Sequence, residues 1–540
     1  MKSTQVLIVG GGPIGLALAC DLGRRGIRAL LVEQNADEMA SAKMIVVSVR
    51  TMEFCRQLGI APQVRDWGFP LDYCLDSVFV TDMQGWELGR IKTPSLRTDA
   101  DTPFSPERER PCPQTWFDPI LKRHARTFPS IEMRYRTRLD SFVQDANGVT
   151  AQVVDSDSGA RESIRADYMV GCDGYSSSVR EMLGIQLRGE KHLDLSMSVY
   201  VRIPELRRFH DKGDAYRYVF VGPEGVWSVL TTMDGGDLWR VQLVGANDID
   251  VRKHDLDAVM RRSFGPDVPY TIEDVSYWVR KMTVADRFSD GRVFIAGDSA
   301  HAHPPNGGLG MNTGIQDAWD LGWKFEAVLK GWGGPMLLES YDYERRPACH
   351  RAAGESLKNY HRLVDKTSYP LIGERSPEGD AVRAALGKRL VDANEKAWHP
   401  IGVHLGYIYH PSPVVVDDGS PVPADDTVGF VPCARPGVRA PHVWLGDGRS
   451  ILDLFGDGFV LMRFGDAPTA SLEDAARTRG VPLRVEAVDS TEARALYERA
   501  LVLVRPDGHI AWRGDAVPAD ALALIDAIRG AGIRAAARRA

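Results

Sequence analysis

Short apolar runs that stop at a glycine or an acid recur through the first 300 positions of this chain. Residues 5–9 run into Gly10, residues 29–32 into Glu33, residues 168–170 into Gly171 and residues 293–296 into Gly297. Runs of this length, rich in valine and isoleucine and closed by turn residues, predict buried strands. Helical periodicity follows the first of them, from Pro13 to about Arg25, and returns over 313–329. Between 183 and 275 the pattern changes to strand-like alternation over 197–202, 216–221, 226–231 and 239–244. Turns at Gly222-Pro223-Glu224-Gly225 and Asp234-Gly235-Gly236-Asp237 would fold these segments into an antiparallel sheet. Residues 341–398 read as helical, with a break marked by Pro370 and Pro377.

The pattern then weakens. Seven prolines fall between 411 and 441, which predicts an extended linker without a strong fold of its own. Strand-like runs resume at 459–464, 483–488 and 501–505, followed by a Pro506-Asp507-Gly508 turn and the short run 510–512. A last helix is predicted over 518–529, with Pro518 in its first turn, where a missing N–H costs nothing. The predicted organisation is a first domain split between 1–182 and 276–400, a sheet domain over 183–275, a linker over 401–445 and a final unit over 446–540. No repeat of solenoid period occurs.

Composition narrows the function classes. The chain has 540 residues, 44% of them hydrophobic and 26% charged, which are the proportions of an ordinary globular protein with room for two or three cores. A net charge of −7 and the lack of a basic stripe argue against nucleic acid as a partner. No apolar run approaches the ~18 residues of a spanning helix, so no membrane role is expected. Lys2 followed by apolar residues resembles a secretion signal, but Gly10-Gly11-Gly12-Pro13 would break its core. The seven cysteines (20, 55, 74, 112, 172, 349 and 433) include no C-x-x-C and no zinc-like pairing, which predicts a reduced, cytoplasmic protein without a metal site.

Three motifs carry the chemistry. The first is strand, Gly10-Gly11-Gly12-Pro13-Ile14-Gly15, helix, strand, Glu33, with the acid 18 residues after the last glycine. A dinucleotide site needs that order: glycines for the turn and the close approach of a pyrophosphate, a helix N-terminus for its charge, a carboxylate for the ribose. The second is Gly171-Cys172-Asp173-Gly174-Tyr175-Ser176-Ser177-Ser178-Val179-Arg180, a strand ending in Asp-Gly before a hydroxyl-rich turn. The third is Ala296-Gly297-Asp298-Ser299-Ala300-His301, then Pro304-Pro305, then Gly307-Gly308-Leu309-Gly310-Met311-Asn312. Asp298 at a strand end can accept hydroxyl protons, and the glycines let backbone N–H groups approach a ligand.

Together these strings resemble the group A flavin-dependent aromatic hydroxylases, the family of para-hydroxybenzoate hydroxylase and phenol hydroxylase. The resemblance covers roughly residues 1–345, and the final unit looks like the thioredoxin-like domain of the phenol hydroxylase branch. It implies an α/β fold with a Rossmann-like FAD-binding domain, an inserted antiparallel-sheet substrate domain and a thioredoxin-like C-terminal domain. It also implies a monooxygenase that uses NADPH or NADH and dioxygen, with a flavin C4a-hydroperoxide delivering oxygen to an activated aromatic ring. The substrate would be a phenol, a hydroxybenzoate or a fused-ring polyketide, and a homodimer is compatible with the family.

The same resemblance assigns roles. Gly10, Gly12 and Gly15 would hold the pyrophosphate, Glu33 the adenosine ribose, and Asp298 the ribityl or pyrophosphate region. Gln114 matches a glutamine at the ribityl chain, and Asp173 belongs to a string tied to FAD and NAD(P)H handling. Arg50 opens the helix after the second strand. Lys43 stands where many relatives carry Arg then Gly; it keeps the charge without arginine's planar fork and is assigned to the cofactor. Gly310, Met311 and Asn312 would present donors to the flavin ring, with Pro305 and Gly308 beside it as catalytic positions. On the roofing sheet, Tyr218 is assigned a catalytic role and Tyr216, Trp227 and Arg240 a substrate role, because a phenol or guanidinium there can bind or deprotonate a phenolic substrate. His301 and His303 are read as packing or supporting residues. Other readings of the same motifs are an FAD-dependent reductase, a halogenase, or a non-catalytic flavin-binding scaffold; the Trp-x-Trp-x-Ile-Pro string usual in halogenases is absent.

Overall fold

The computed structural model describes residues 2–37, 44–98, 103–244, 251–364, 367–395 and 401–532. The first predicted strand, Lys2–Val9, lies in the middle of a parallel sheet, between Arg161–Gly171 and Ala29–Val32. Val293–Ile295 extends the sheet on one side and Ile131–Arg134 on the other. An antiparallel hairpin, Thr137–Asp145 and Gly148–Asp155, is attached to Arg161–Gly171. Central strands covered on both faces can be continuously apolar, and Ala29–Val32 is buried at every position. The helices Pro13–Arg24, Gln114–Ala125 and Leu309–Leu329 supply much of that cover.

Register positions the chemistry. Val9 pairs with both Val32 and Gly171, and Gly171 pairs with Ile295. The residues that follow, Gly10, Glu33, Cys172-Asp173 and Ala296-Gly297-Asp298, therefore leave the sheet side by side at its carboxyl edge. Open α/β sheets bind ligands at that edge.

The second sheet is wider than the 183–275 segment. Its strand order is His301–Ala302, Thr271–Ala285, Leu187–Arg202, Leu238–Leu243, Gly225–Thr232, Arg217–Gly222, Ser77–Val80 and Glu87–Ile91. Four of these strands match the predicted alternating runs. The others come from both parts of the first domain, so the two domains are interwoven and no boundary falls cleanly at 275. One face packs Val78, Met197, Val199, Tyr218, Phe220, Leu230 and Val241 against Met260 and Phe264 of the helix Leu256–Phe264. The opposite face is free to line a cavity.

Two helix boundaries differ from expectation. The helix predicted over 313–329 begins at Leu309, because Gly308 (φ 65°) takes the left-handed cap position that starts the turn earlier. The last helix is Ala521–Ile528, capped by the Asp520 side chain accepting from the Ala523 N–H, so Pro518 precedes the helix.

The C-terminal unit is a four-stranded sheet in the order Leu483–Ala487, Phe459–Arg463, Leu501–Val504, Ile510–Gly514. Ala470–Thr478 and Ala521–Ile528 cover one face, and Thr491–Tyr497 lies on the other. Its core is shared with the first domain, since Trp323, Trp332 and Leu337 pack with Phe459, Leu461 and Leu503. The proline-rich segment carries little regular structure but is not loose: Val414, Ala434 and Ala440 are buried.

Candidate functional site

The first glycine motif forms a cradle. Gly10 has φ 113°, and a Cβ there would collide with the Cys172 carbonyl, so no other residue fits the turn. Gly15 packs its Cα against the Gly10 carbonyl with no room for a side chain. Gly12, the N-cap of Pro13–Arg24, has nothing within 4 Å of where a Cβ would be and faces a cavity. That open position before free first-turn amides is the shape a pyrophosphate requires. Glu33, at the end of its strand, accepts the Gly11 N–H at 2.7 Å and the Asn35 N–H at 2.8 Å. Its carboxylate is thereby held at the lip of the same edge.

The second and third motifs are bonded to each other. Asp173 accepts the Ser299 hydroxyl at 3.1 Å on one oxygen and the Ser178 hydroxyl and Val179 N–H, each at 3.1 Å, on the other. Gly174 N–H donates to Ser299 Oγ at 3.0 Å, and Arg180 donates to the Tyr175 and Ser299 carbonyls. Asp173 thus organises the two turns, and its neighbours Cys172, Gly174 and Tyr175 line the cavity. Asp298 is exposed and faces the cavity directly.

Beyond it, Pro304 and Pro305 lead into Gly307 (φ 94°) and Gly308, and the Gly308 N–H donates to the Pro305 carbonyl at 3.0 Å. Pro305, Gly308, Gly310 and Met311 all line the cavity. Asn312 contributes differently. Its side-chain oxygen accepts from the Ser48 N–H (2.9 Å) and Thr51 Oγ1 (2.8 Å), while its amide donates to the Val46 and Gly308 carbonyls (3.0 and 2.6 Å). It fixes the N-terminus of the helix against Val49–Gln57. Gln114 also lines the cavity, with its backbone N–H on the Met44 carbonyl and its side chain on Asp118. Lys43 lies outside the described residues.

Asp317 was not found by sequence reasoning. It is fully buried and accepts from Gly297 N–H (3.0 Å), His301 Nε2 (2.7 Å) and Arg345 Nε (2.9 Å). Burial opposes the His301 imidazolium, but Cys349 and Asp317 beside it raise its pKa from 6.5 to about 10. Burial also opposes the Asp317 charge, yet His301 and Arg345 hold that carboxyl at about 2. His301, Asp317 and Cys349 have ligand atoms within 4.8 Å of one another, but the Arg345 guanidinium already supplies the cation there. This ion pair under the Gly297-Asp298 turn had no sequence signal, because Asp317 is one of several polar residues on the helix Leu309–Leu329, among them Asn312, Gln316, Asp320 and Lys324.

The roofing sheet divides the proposed substrate residues. Arg217 pairs with Thr231, Thr231 with Arg240, and Arg240 with Tyr200; all four line the cavity. Val219, Val229, Gln242, Ser198 and Ser276 form the next row on the same face. Tyr218 is a correction. Strand alternation turns it to the opposite face, where its hydroxyl donates to the Gly213 carbonyl. Trp227 is displaced by a bulge in the pairing and stacks beneath Arg262, 3.9 Å from its ring centre. Tyr216 is buried with Phe69 and Leu96 outside the cavity, and burial pushes its phenol up to about 12. Of the predicted sheet residues, only Arg240 reaches the cavity, and Arg217 was missed.

A single cavity of about 870 Å³ joins Gly12, Asp298 and Gly308 to the inner face of this sheet. Residues 3–356 match the family described as FAD binding domain, and residues 434–531 match the family described as Aromatic-ring hydroxylase, C-terminal. The chain belongs to the FAD-dependent aromatic-ring hydroxylases. This hydroxylase is 34% identical to a tetracenomycin B2 monooxygenase-dioxygenase of Streptomyces olivaceus, over 97% of both chains. It is 31% identical to a phenol 2-monooxygenase of Pseudomonas sp. (strain EST1001), over 98% of this chain and 92% of the relative. Among solved structures, the rebeccamycin biosynthetic enzyme RebC with reduced flavin superposes with a TM-score of 0.91 and 39% identity, covering 98% of this chain and 100% of that one. FAD is the cofactor and NAD(P)H the co-substrate of an aromatic monooxygenase. The reductase, halogenase and scaffold readings find no support among these relatives.

Proposed function

We propose that this hydroxylase inserts one atom of dioxygen into a planar hydroxylated aromatic, ranging from a phenol to a fused-ring polyketide, bound beneath the antiparallel sheet. The continuity of the cavity carries this reading: one space of about 870 Å³ is bounded by the glycine cradle, Asp298 and Pro305 on one side and by Ser198, Val229 and Trp278 on the other. Relatives named for phenol and for tetracenomycin B2, each matched over nearly the whole chain, support that substrate range.

Bound FAD supplies electron transfer and oxygen activation. The residues of this chain supply position and environment. Gly10, Gly12 and Gly15 admit the pyrophosphate, Glu33 accepts ribose hydroxyls, and Asp298 accepts hydroxyls of the ribityl chain. The first-turn amides after Gly308 present donors where negative charge develops on the ring system, a role suited to a helix N-terminus. Pro305 offers a rigid wall with no N–H. Val219, Val229 and Val279 keep water from the reacting face.

The test is NADPH oxidation in air across phenols, hydroxybenzoates and hydroxylated fused-ring aromatics, with products weighed by mass spectrometry. Ligand-stimulated oxidation with a gain of one oxygen is expected. Slow oxidation that yields only peroxide with every class would overturn the proposal.

A further inference from the structure

One side chain on the cavity wall carries an unspent hydrogen-bond donor of fixed direction. Asn359 lies on the helix Pro335–Leu363, is 4% exposed and lines the cavity. Its Oδ1 accepts from Arg362 Nη1 at 2.6 Å. The same Nη1 donates to Glu355 Oε1 at 3.0 Å, and buried Glu355 also accepts the Thr427 hydroxyl at 3.1 Å. A guanidinium has donors only, so it faces the amide oxygen and leaves the NH2 group turned away. That Nδ2 is buried without an acceptor. A Cβ built on Gly307 would lie 2.9 Å from it, so the glycine keeps open the space in front of the amide.

The place of the amide bears on the ligand it serves. Gly307 belongs to the turn that leads into the helix Leu309–Leu329. One helical turn beyond Asn359, Leu363 also lines the cavity and joins the apolar cluster of Val219 and Val229 on the roofing sheet. Asn359 therefore stands between the candidate cofactor turn and the substrate roof. Three other neutral donors on the wall are engaged within the protein: Gln114 with Asp118, Trp278 with Ser198 and Asn394 with the Leu390 carbonyl. His303 also lines the cavity with both ring nitrogens unpartnered, but an imidazole serves as donor and acceptor at once and specifies no ligand atom. The Asn359 NH2 group can only donate. A buried N–H without an acceptor carries a cost that a ligand oxygen removes. Because the amide is neutral, its match is a neutral acceptor without a proton of its own, a carbonyl oxygen.

We propose that Asn359 is a specificity-determining residue that donates a hydrogen bond to a carbonyl oxygen on the substrate's ring system, so that hydroxylated aromatic ketones are preferred over their deoxy counterparts. This rests on the hydroxylase reading above and specifies the substrate it favours. The flavin ring carries carbonyl oxygens too, so the experiment separates the two sources.

The flavin-loaded enzyme is titrated with 6-hydroxy-1-tetralone and with its deoxy analogue, in which a methylene replaces the carbonyl, following flavin fluorescence. The dissociation constant of FAD is measured for each variant in parallel. The ketone should bind roughly 5- to 30-fold tighter, the range for satisfying one buried donor. Asn359→Leu should abolish that preference while the deoxy analogue keeps its affinity. Asn359→Asp, which keeps an oxygen for Arg362 but has no donor, should do the same. Equal or weaker binding of the ketone by the unsubstituted enzyme overturns the proposal, and this comparison stands even if both variants fail to fold. So does an Asn359→Leu enzyme that keeps its preference for the ketone; weaker FAD binding by that enzyme would then assign the amide to the flavin carbonyls. If the phenols of the panel above gain oxygen while no ketone preference exists, the hydroxylase reading survives and this inference fails. If the ketone is preferred but nothing in that panel is oxygenated, the inference about recognition stands and the hydroxylase reading fails.

Discussion

Ser299 donates its hydroxyl proton to Asp173 at 3.1 Å, and that bond ties two turns 126 residues apart in sequence into one wall of the candidate cofactor site. The same oxygen receives the Gly174 N–H. Neither residue needs to touch the cofactor to govern its binding.

Ser299→Ala should therefore weaken FAD binding about tenfold, the cost of losing roughly one to two buried hydrogen bonds. The measurement is the dissociation constant of FAD from the reconstituted apoprotein. An unchanged constant would show that the two turns hold their geometry without this link.

Asp298→Ala should also lower FAD affinity, by about 10-fold or more, since a cavity-facing carboxylate is replaced by a methyl group. The side chain is exposed, so the thermal stability of the apoprotein should move little. Retention of flavin through gel filtration at wild-type stoichiometry, with an unchanged dissociation constant, would count against its assignment.

His301 makes stability pH-dependent. Its pKa is raised on folding, from 6.5 to about 10, so its contribution is complete below 6.5 and is lost as pH rises through about 10. Asp317, lowered from 3.8 to about 2, contributes above 3.8 and loses its contribution as pH falls toward 2. Between about pH 6 and 9.5 the native protein should lose a few kcal/mol that a His301→Gln variant does not lose. Urea unfolding at several pH values checks this, and parallel curves for the two proteins would refute it.

Glu53 joins the first domain to the C-terminal unit. It accepts from Arg439 at 3.0 Å and from Arg50 at 2.7 Å, and Arg50 also donates to the Asp507 carbonyl at 2.7 Å. Glu53→Ala should destabilise the protein by about 3–5 kcal/mol, because it leaves two buried guanidinium groups without their carboxylate. Removal of residues 434–532 should likewise give an unstable chain, with Glu53 and Glu344 stripped of Arg439 and Arg505. Thermal denaturation tests both, and a well-folded truncation would show that the C-terminal unit is dispensable for folding.

Much of the candidate cofactor site could be read from the chain because it is built from local backbone rules. Gly10, Gly12, Gly15 and Glu33 obey a fixed spacing between one strand and the next, and the Gly297-Asp298 and Asp173-Gly174 turns close strands that announce themselves by apolar runs. The relatives confirm the family those motifs implied. Less legible was the helix start at Leu309, where a left-handed Gly308 overrode the apparent periodicity.

The roofing sheet marks where sequence reading ends. Alternation states that neighbouring residues face opposite ways, but it does not say which way, and a register shift near Phe220 and Val221 reverses the assumption partway along a strand. The shift displaces Trp227, while plain alternation before it turns Tyr218 into the hydrophobic core and Arg217, one position earlier, to the cavity. Asp317 was hidden for a related reason: its partners Gly297, His301 and Arg345 meet only when the helix packs beneath the turn. Short-range spacing and strand patterning were enough to state the cofactor class and the hydroxylase family, which the matched families and relatives bear out. Only the tertiary structure decided which side chains share the cavity and which charges are paired, because those depend on register and on contacts between segments far apart in the chain.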